Sequence, residues 1–163
     1  AYCYQLSTID YQLPAINYQL STIDYNYPMD KIDSFLSQAI LARLGTANPQ
    51  TAQPHVVPVW FLWEDGAAWV SAFSSTRKVK ELQANPRCAL LIDLMEPVDG
   101  LTGVLLEGVG ELISDPALVQ PIALKIYTKY LGPEGVQAKD PQSWLVDAEN
   151  RILKLVPQKI RSW

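Results

Sequence analysis

Histidine and cysteine are scarce in this chain: its 163 residues include one histidine, His55, and two cysteines. That scarcity argues against zinc sites and against a disulfide framework. Positive charge is short as well, with 13 Lys and Arg against 17 Asp and Glu and a net charge of −4. Such a balance is a poor footprint for a nucleic-acid binder. No stretch approaches the roughly 18 consecutive apolar residues of a membrane span. The opening segment lacks the basic start and continuous apolar run of a secretory signal, so the expectation is a soluble, cytoplasmic protein with no membrane partner. A P-loop and a Gly-x-Ser-x-Gly elbow are both missing. Gly108-Val-Gly110 lacks the third glycine and the following helix of a dinucleotide fingerprint. What the chain does have is apolar material, 48% of its residues. That is ample for one core at a length of about one domain, on a prior of roughly 100–200 residues each.

The first 28 residues read differently from the rest. Tyr4-Gln-Leu-Ser-Thr-Ile-Asp10 is followed by Tyr11-Gln-Leu-Pro-Ala-Ile-Asn17 and Tyr18-Gln-Leu-Ser-Thr-Ile-Asp24. Leu6, Ile9, Leu13, Ile16, Leu20 and Ile23 have the spacing of a coiled-coil seam. Against that, Pro14 interrupts the run, and Tyr, Thr and Ile favour strand over helix. A seven-nucleotide unit, TATCAAC, read through three times gives Tyr-Gln-Leu-Ser-Thr-Ile-Asn and returns to frame. Each departure in the three copies (Asp10, Pro14, Ala15, Asp24) then needs one nucleotide change. Residues 1–28 are therefore expected to be a translated tandem DNA repeat outside the fold, with 29–163 as the working domain.

From Met29 onward the pattern is regular. A helix beginning at Asp30 or Asp33 places Ile32, Phe35, Leu36, Ala39 and Ile40 on one face. Strands are expected at Ala42–Thr46, His55–Glu64, Ala67–Phe73, Arg87–Leu94, Leu101–Ile113, Arg151–Val156 and Lys159–Trp163. Short helices fit Thr76–Ala84 and the segment from Asp115-Pro116 to about Leu131. Mostly antiparallel strands with a few flanking helices make a small α+β barrel. The strand Val56-Val-Pro-Val-Trp-Phe-Leu-Trp63 is apolar on both faces, so its outer side must meet either the protein's own helices, a cofactor or a second subunit.

Ser74-Ser-Thr-Arg-Lys78 lies where a strand ends and a helix starts. Hydroxyls there can cap the helix, and its first N–H groups with Arg77 and Lys78 form a cradle for a phosphate. The plainer alternative is Thr76 as N-cap with Arg77 and Glu81 as an i,i+4 pair. Basic residues in a first turn oppose the helix dipole unless an anion is present. His55, without a partner cluster, fits packing or hydrogen bonding better than a metal or a catalytic triad, and Cys88 fits inert core.

The run Thr76-Arg-Lys-Val-Lys-Glu-Leu-Gln-Ala-Asn-Pro-Arg-Cys-Ala-Leu-Leu91 resembles the pyridoxamine 5′-phosphate oxidase-related flavoproteins. Ser/Thr-Arg-Lys, a short helix, Asn-Pro-Arg and an apolar strand recur there. The His55–Trp60 strand and Leu106–Ile113 fit the same pattern, and the likeness spans roughly residues 30–163. It implies a split β-barrel homodimer with FMN at the subunit interface, acting as an oxidoreductase on a small molecule. On that model Arg77 and Lys78 grip the FMN phosphate with Thr76 nearby. His55, Val56, Val57, Pro58, Val59 and Trp60 line the flavin and its ribityl chain, and Ser71 and Ala72 approach the same site. The resemblance names no catalytic residue. Trp60 or Phe61 stands where the vitamin-salvage oxidases have lysine, and a closing Arg-x-His element is missing, so pyridoxamine phosphate itself is not the expected substrate. Three other readings remain open: a deazaflavin-dependent reductase, a haem-binding or haem-degrading member of the same barrel family, and a non-catalytic flavin or small-ligand binder.

If the repeat is translated DNA outside the fold, a chain starting at Met29 folds and binds its ligand as the full chain does. Circular dichroism and ligand titration check this, and loss of either property overturns it.

Overall fold

The computed structural model describes residues 27–163, and the tandem repeat with the origin assigned to it lies outside the described residues. Helix α1 (Met29–Ser37) starts directly after Pro28 and buries Ile32, Phe35 and Leu36. The expected start at Asp30 or Asp33 thus moves to Met29. Ahead of it, Tyr27 packs on the main core and its hydroxyl donates to the Gly100 carbonyl at 3.4 Å.

The remaining elements are β1 (Ala42–Ala47), β2 (Pro54–Val59), β3 (Phe61–Glu64), β4 (Ala67–Phe73), α2 (Arg77–Ala84), β5 (Arg87–Val98), β6 (Leu101–Ile113), α3 (Pro116–Gly135), α4 (Lys139–Leu145) and β7 (Asn150–Ser162). All strand pairings are antiparallel, in the order β2-β1-β5-β6-β7-β4-β3. Laid flat at about 4.8 Å per strand, seven strands hold their two edges roughly 29 Å apart. Yet β2 and β3, the two edges, are separated in the chain by Trp60 alone. Successive Cα atoms lie about 3.8 Å apart, so the sheet has to curl until its edges meet at Trp60. The fold is an α+β split barrel: the sequence pattern implies the small α+β barrel, and the family resemblance its split form.

The single expected strand His55–Glu64 is therefore two strands on opposite edges. Side-chain alternation nevertheless runs through the joint. Val57, Val59, Phe61 and Trp63 face the barrel core, while Trp60 and Leu62 face a second apolar cluster built on Val119, Ala123, Ile126 and Tyr127 of α3. Both faces of β3 are thus covered by the protein's own helices, α3 outside and α1 at Trp63, whose indole donates to Asp33 at 2.7 Å. Ahead of the joint, Val56 stays 63% exposed.

The two closing strands expected at Arg151–Val156 and Lys159–Trp163 form one, β7. Its register against β6 jumps from Gly108↔Pro157 to Glu107↔Lys159, which leaves Gln158 as the extra residue of a bulge. Pro157 has no N–H to give, and it lies beyond the stretch that pairs with β4, where β7 has a neighbour on one side only. A Cβ on Gly108 would come within 2.8 Å of the Val156 carbonyl oxygen, so no other residue fits opposite the bulge.

Helix α3 begins as expected, with the Asp115 carboxylate accepting from the Ala117 N–H at 3.0 Å. Its regular part ends at Gly132, whose φ of 75° only glycine adopts freely. One more turn and α4 follow, the latter not foreseen, although Asp140-Pro141 repeats the helix-start signal of Asp115-Pro116. Two α3 side chains tie it back to the first helix region. Tyr130 donates to the Ile40 carbonyl at 2.8 Å, and Lys129 donates to the Leu36 carbonyl at 3.1 Å with its ammonium 4.1 Å from the Phe61 ring centre.

Two outcomes follow from this packing. Gly108→Ala should lower stability by about 1–3 kcal/mol in chemical denaturation, since the neighbouring backbone must shift. Burial lowers the Lys129 ammonium to about 8. A lysine that holds its proton less tightly in the fold than in the unfolded chain destabilises the fold below its folded pKa. Stability should therefore rise as pH climbs from about 8 towards 10.5. In Lys129→Met, which keeps the stem over Phe61, that rise should shrink; equal pH dependence in both proteins overturns the assignment.

Candidate functional site

A cleft of about 420 Å³ opens where β2 reaches Trp60, beside the end of β4 and the start of α2. Pro58, Val59 and Trp60 form one side, and Ser71, Ala72 and Phe73 of β4 form another. Lys78 enters from α2, Leu41 from the chain ahead of β1, and Tyr127 and Trp144 from α3 and α4. Its walls are aromatic and mutually braced. Trp60 stacks on Tyr130 at 5.0 Å with planes 5° apart and meets Tyr127 edge-on at 6.2 Å; Tyr127 in turn meets Trp144 edge-on at 5.7 Å. Such contacts fix ring orientation as well as burying area.

A small polar frame sets the floor. The Ser71 and Tyr127 hydroxyls are 2.8 Å apart, the Ser71 hydroxyl donates to the side-chain Oδ1 of buried Asn150 at 3.4 Å, and the Asn150 Nδ2 donates to the Trp144 carbonyl at 2.9 Å. Burial raises the Tyr127 hydroxyl above its ordinary pKa, only partly offset by Ser71, so it stays protonated at neutral pH and can donate.

Lys78 is half-buried at the cleft, and desolvation pulls it below the ordinary lysine value. Among the described residues it has no acidic partner. The helix start beside it is also open: Thr76 holds the N-cap position, but its hydroxyl donates to the Phe73 carbonyl at 2.6 Å instead of capping α2. A cation short of counter-charge next to unclaimed helix N–H groups is suited to an anion.

The expected site residues divide. Pro58, Val59, Trp60, Ser71, Ala72 and Lys78 come together at the cleft. His55, Val56, Val57, Thr76 and Arg77 do not line it. Arg77 faces a neighbouring groove with Ser75, Lys80 and Asn48, and its Nε donates to Glu81 at 2.8 Å, the i,i+4 pair weighed from sequence. That pair is no surface ornament, because Glu81 is 4% exposed and also accepts from the Thr46 hydroxyl at 2.5 Å. His55 sits 3.4 Å from both Glu81 and Thr46, a hydrogen-bonding role of the kind expected for it. Cys88 is buried, with its thiol pushed up to about 11. Among the described residues no three His, Cys, Asp or Glu side chains are grouped to hold a metal, and no helix is long and apolar enough to cross a membrane.

Sequence reasoning missed Tyr127, Trp144, Leu41 and Phe73. Tyr127 and Tyr130 fall three apart on α3, one helical turn, which is a readable signal for a shared aromatic face. Trp144 could be placed only with α4.

No curated protein sequence matches the chain. Solved structures do. A conserved hypothetical protein, Rv2991, from Mycobacterium tuberculosis matches with a TM-score of 0.70 at 23% identity, over 84% of each chain. An F420 reductase matches with a TM-score of 0.64 at 22% identity, over 78% of this chain and 94% of its own. HutZ, the haem storage protein from Vibrio cholerae, matches with a TM-score of 0.61 at 14% identity, over 78% of this chain and 88% of its own. Similarity at these identities speaks for the fold alone. The pyridoxamine 5′-phosphate oxidase family model matches residues 28–163, nearly all of the described chain, and the protein belongs to that family.

Proposed function

We propose that the chain binds FMN in the aromatic cleft and serves as a flavin-dependent oxidoreductase for a small molecule, as a homodimer whose second copy closes the cleft. The observation that carries this reading is Lys78, a half-buried cation with no acidic partner among the described residues, set in an aromatic cleft next to an uncapped helix start. Its chemistry matches a ligand with a planar apolar body and an anionic end. Family membership and the Thr76-Arg-Lys pattern support the same ligand.

When bound, the flavin supplies the electron transfer, so the protein need only hold, orient and shield. Lys78 and the first N–H groups of α2 hold the phosphate. Trp60, Tyr127 and Trp144 exclude water and offer ring faces and edges to a planar group. The protonated Tyr127 hydroxyl, oriented by Ser71, offers one hydrogen bond to the polar edge of whatever occupies the cleft.

The dimer is supported by the apolar character of the open side. Leu41 is 50% exposed at the cleft mouth, and Val56 is exposed on the neighbouring strand. On the outer sheet face, Leu91, Leu105 and Val109 belong to neither apolar cluster. A deazaflavin coenzyme is the second reading, favoured by the F420 reductase among the structural matches.

The absorption spectrum of the purified protein tests the reading, because flavin, deazaflavin and haem differ in it. A flavin spectrum is expected, with Lys78→Ala weakening FMN binding about tenfold or more through loss of a charge-assisted contact. A haem spectrum, or FMN affinity untouched by Lys78→Ala, overturns the assignment.

A further inference from the structure

Glu81 is placed against the preferences of its own helix. Its partner Arg77 is the first residue of α2, where the dipole disfavours a cation. The pair also runs cation first, the weaker direction for i,i+4 neighbours. The Glu81 side chain is 5% exposed, so its carboxylate gives up most of its hydration. Helix stability alone accounts for none of this. What holds the carboxylate is a tertiary contact, the Thr46 hydroxyl from β1 at 2.5 Å, together with Arg77 Nε on its own helix at 2.8 Å. These two bonds keep its pKa below the ordinary glutamate value in spite of burial, so it is an anion at neutral pH.

Among the described residues, Arg77 gives only its Nε hydrogen bond. An arginine has five N–H donors in a planar fork, so the four on its terminal nitrogens remain available. With Nε pinned, the fork loses much of the rotamer freedom of a side chain that is 54% exposed. Arg77 and Lys78 are the first two residues of the helix and flank its open N-terminal turn, Lys78 from the cleft and Arg77 from the adjoining groove.

We infer that Glu81 is a positioning residue: buried and anchored by Thr46, it holds the Arg77 fork ready for the phosphate seated at the start of α2. This rests on the flavin reading above. Removing Glu81 sets two effects against each other. Loss of its negative charge strengthens the local attraction for any anion. Loss of the bond to Nε frees the Arg77 fork, and ordering it again on binding costs affinity. The inference requires that the second effect wins.

FMN and riboflavin titrations on the full chain, read by flavin fluorescence, test it with Glu81→Met, which has no oxygen to accept from Nε, Arg77→Lys, Arg77→Ala and the double variant Glu81→Met/Arg77→Ala. Glu81→Met should weaken FMN binding about tenfold and leave riboflavin, which has no phosphate, unchanged. Added to Arg77→Ala it should have no further effect, because its action runs through Arg77. Arg77→Lys keeps the charge but not the fork, and should bind FMN nearly as weakly as Arg77→Ala. Tighter FMN binding by Glu81→Met, equal losses for FMN and riboflavin, or additivity in the double variant overturns the inference while leaving the flavin reading intact. Should Glu81→Met fail to fold, Arg77→Lys decides alone, and wild-type FMN affinity in that variant overturns the inference. A wild-type chain that binds no FMN overturns the flavin reading and this inference with it.

Discussion

The dominant constraint in this molecule is that the two edges of its sheet are one piece of chain. Trp60 joins β2 to β3, and those strands stand at opposite ends of a seven-strand order, so the sheet cannot lie flat. Curling follows, and with it a single interior filled by Leu44, Leu90, Ile92, Leu106 and Leu153. The cleft follows too. Where the barrel splits, β2 and β3 carry no pairing to each other, and the side chains at the joint are left to face α3 instead of a neighbouring strand.

Site and fold therefore share components. Trp60 is at once the residue at which the barrel closes and a wall of the cleft, and its stacking partner Tyr130 also reaches across to Ile40. Tyr127 is both a core contact of α3 and the hydroxyl beside Ser71. A cleft assembled from such residues is preformed. Its shape is set by the packing that makes the chain fold, and a ligand entering it has little ordering to impose.

Much of this was legible in the sequence, for identifiable reasons. Leu101–Ile113 and Ala67–Phe73 show as strands because turn residues bracket them closely, Asp99-Gly100 and Asp65-Gly66. The cationic helix start was readable because Arg77 and Lys78 occupy positions where helix physics does not want cations. The break at Trp60 was not readable, since alternation continues unbroken through it and only the pairing partner changes. The division between Lys78 and Arg77 depends on Thr46, which lies 35 residues from Glu81 in the chain. Nothing local marks such a contact. Trp144 was invisible for a similar reason, as α4 is short and its anchor, Asn150, belongs to the next strand.

The bulge at Gln158 works as a phase shifter. Before it, the odd-numbered residues Leu153 and Leu155 point into the barrel; after it, the even-numbered Ile160 and Ser162 are the buried ones. β6, opposite, keeps one parity across the bulge, with Val104 and Leu106 inside and Leu112 packed against the same core. Deleting Gln158 would leave every pairing in place, Lys159 opposite Glu107 and Ile160 opposite Leu106, and would remove only the bend and extra twist that a bulge gives a strand. The extra residue therefore shapes the curvature of β7 at the point where it outruns β4, and it is the paired residues on either side whose loss would turn the strand's faces over. Lineages of this chain should keep the count of paired residues in β7, while length changes gather at the bulge and in turns such as 48–53, where no register is at stake.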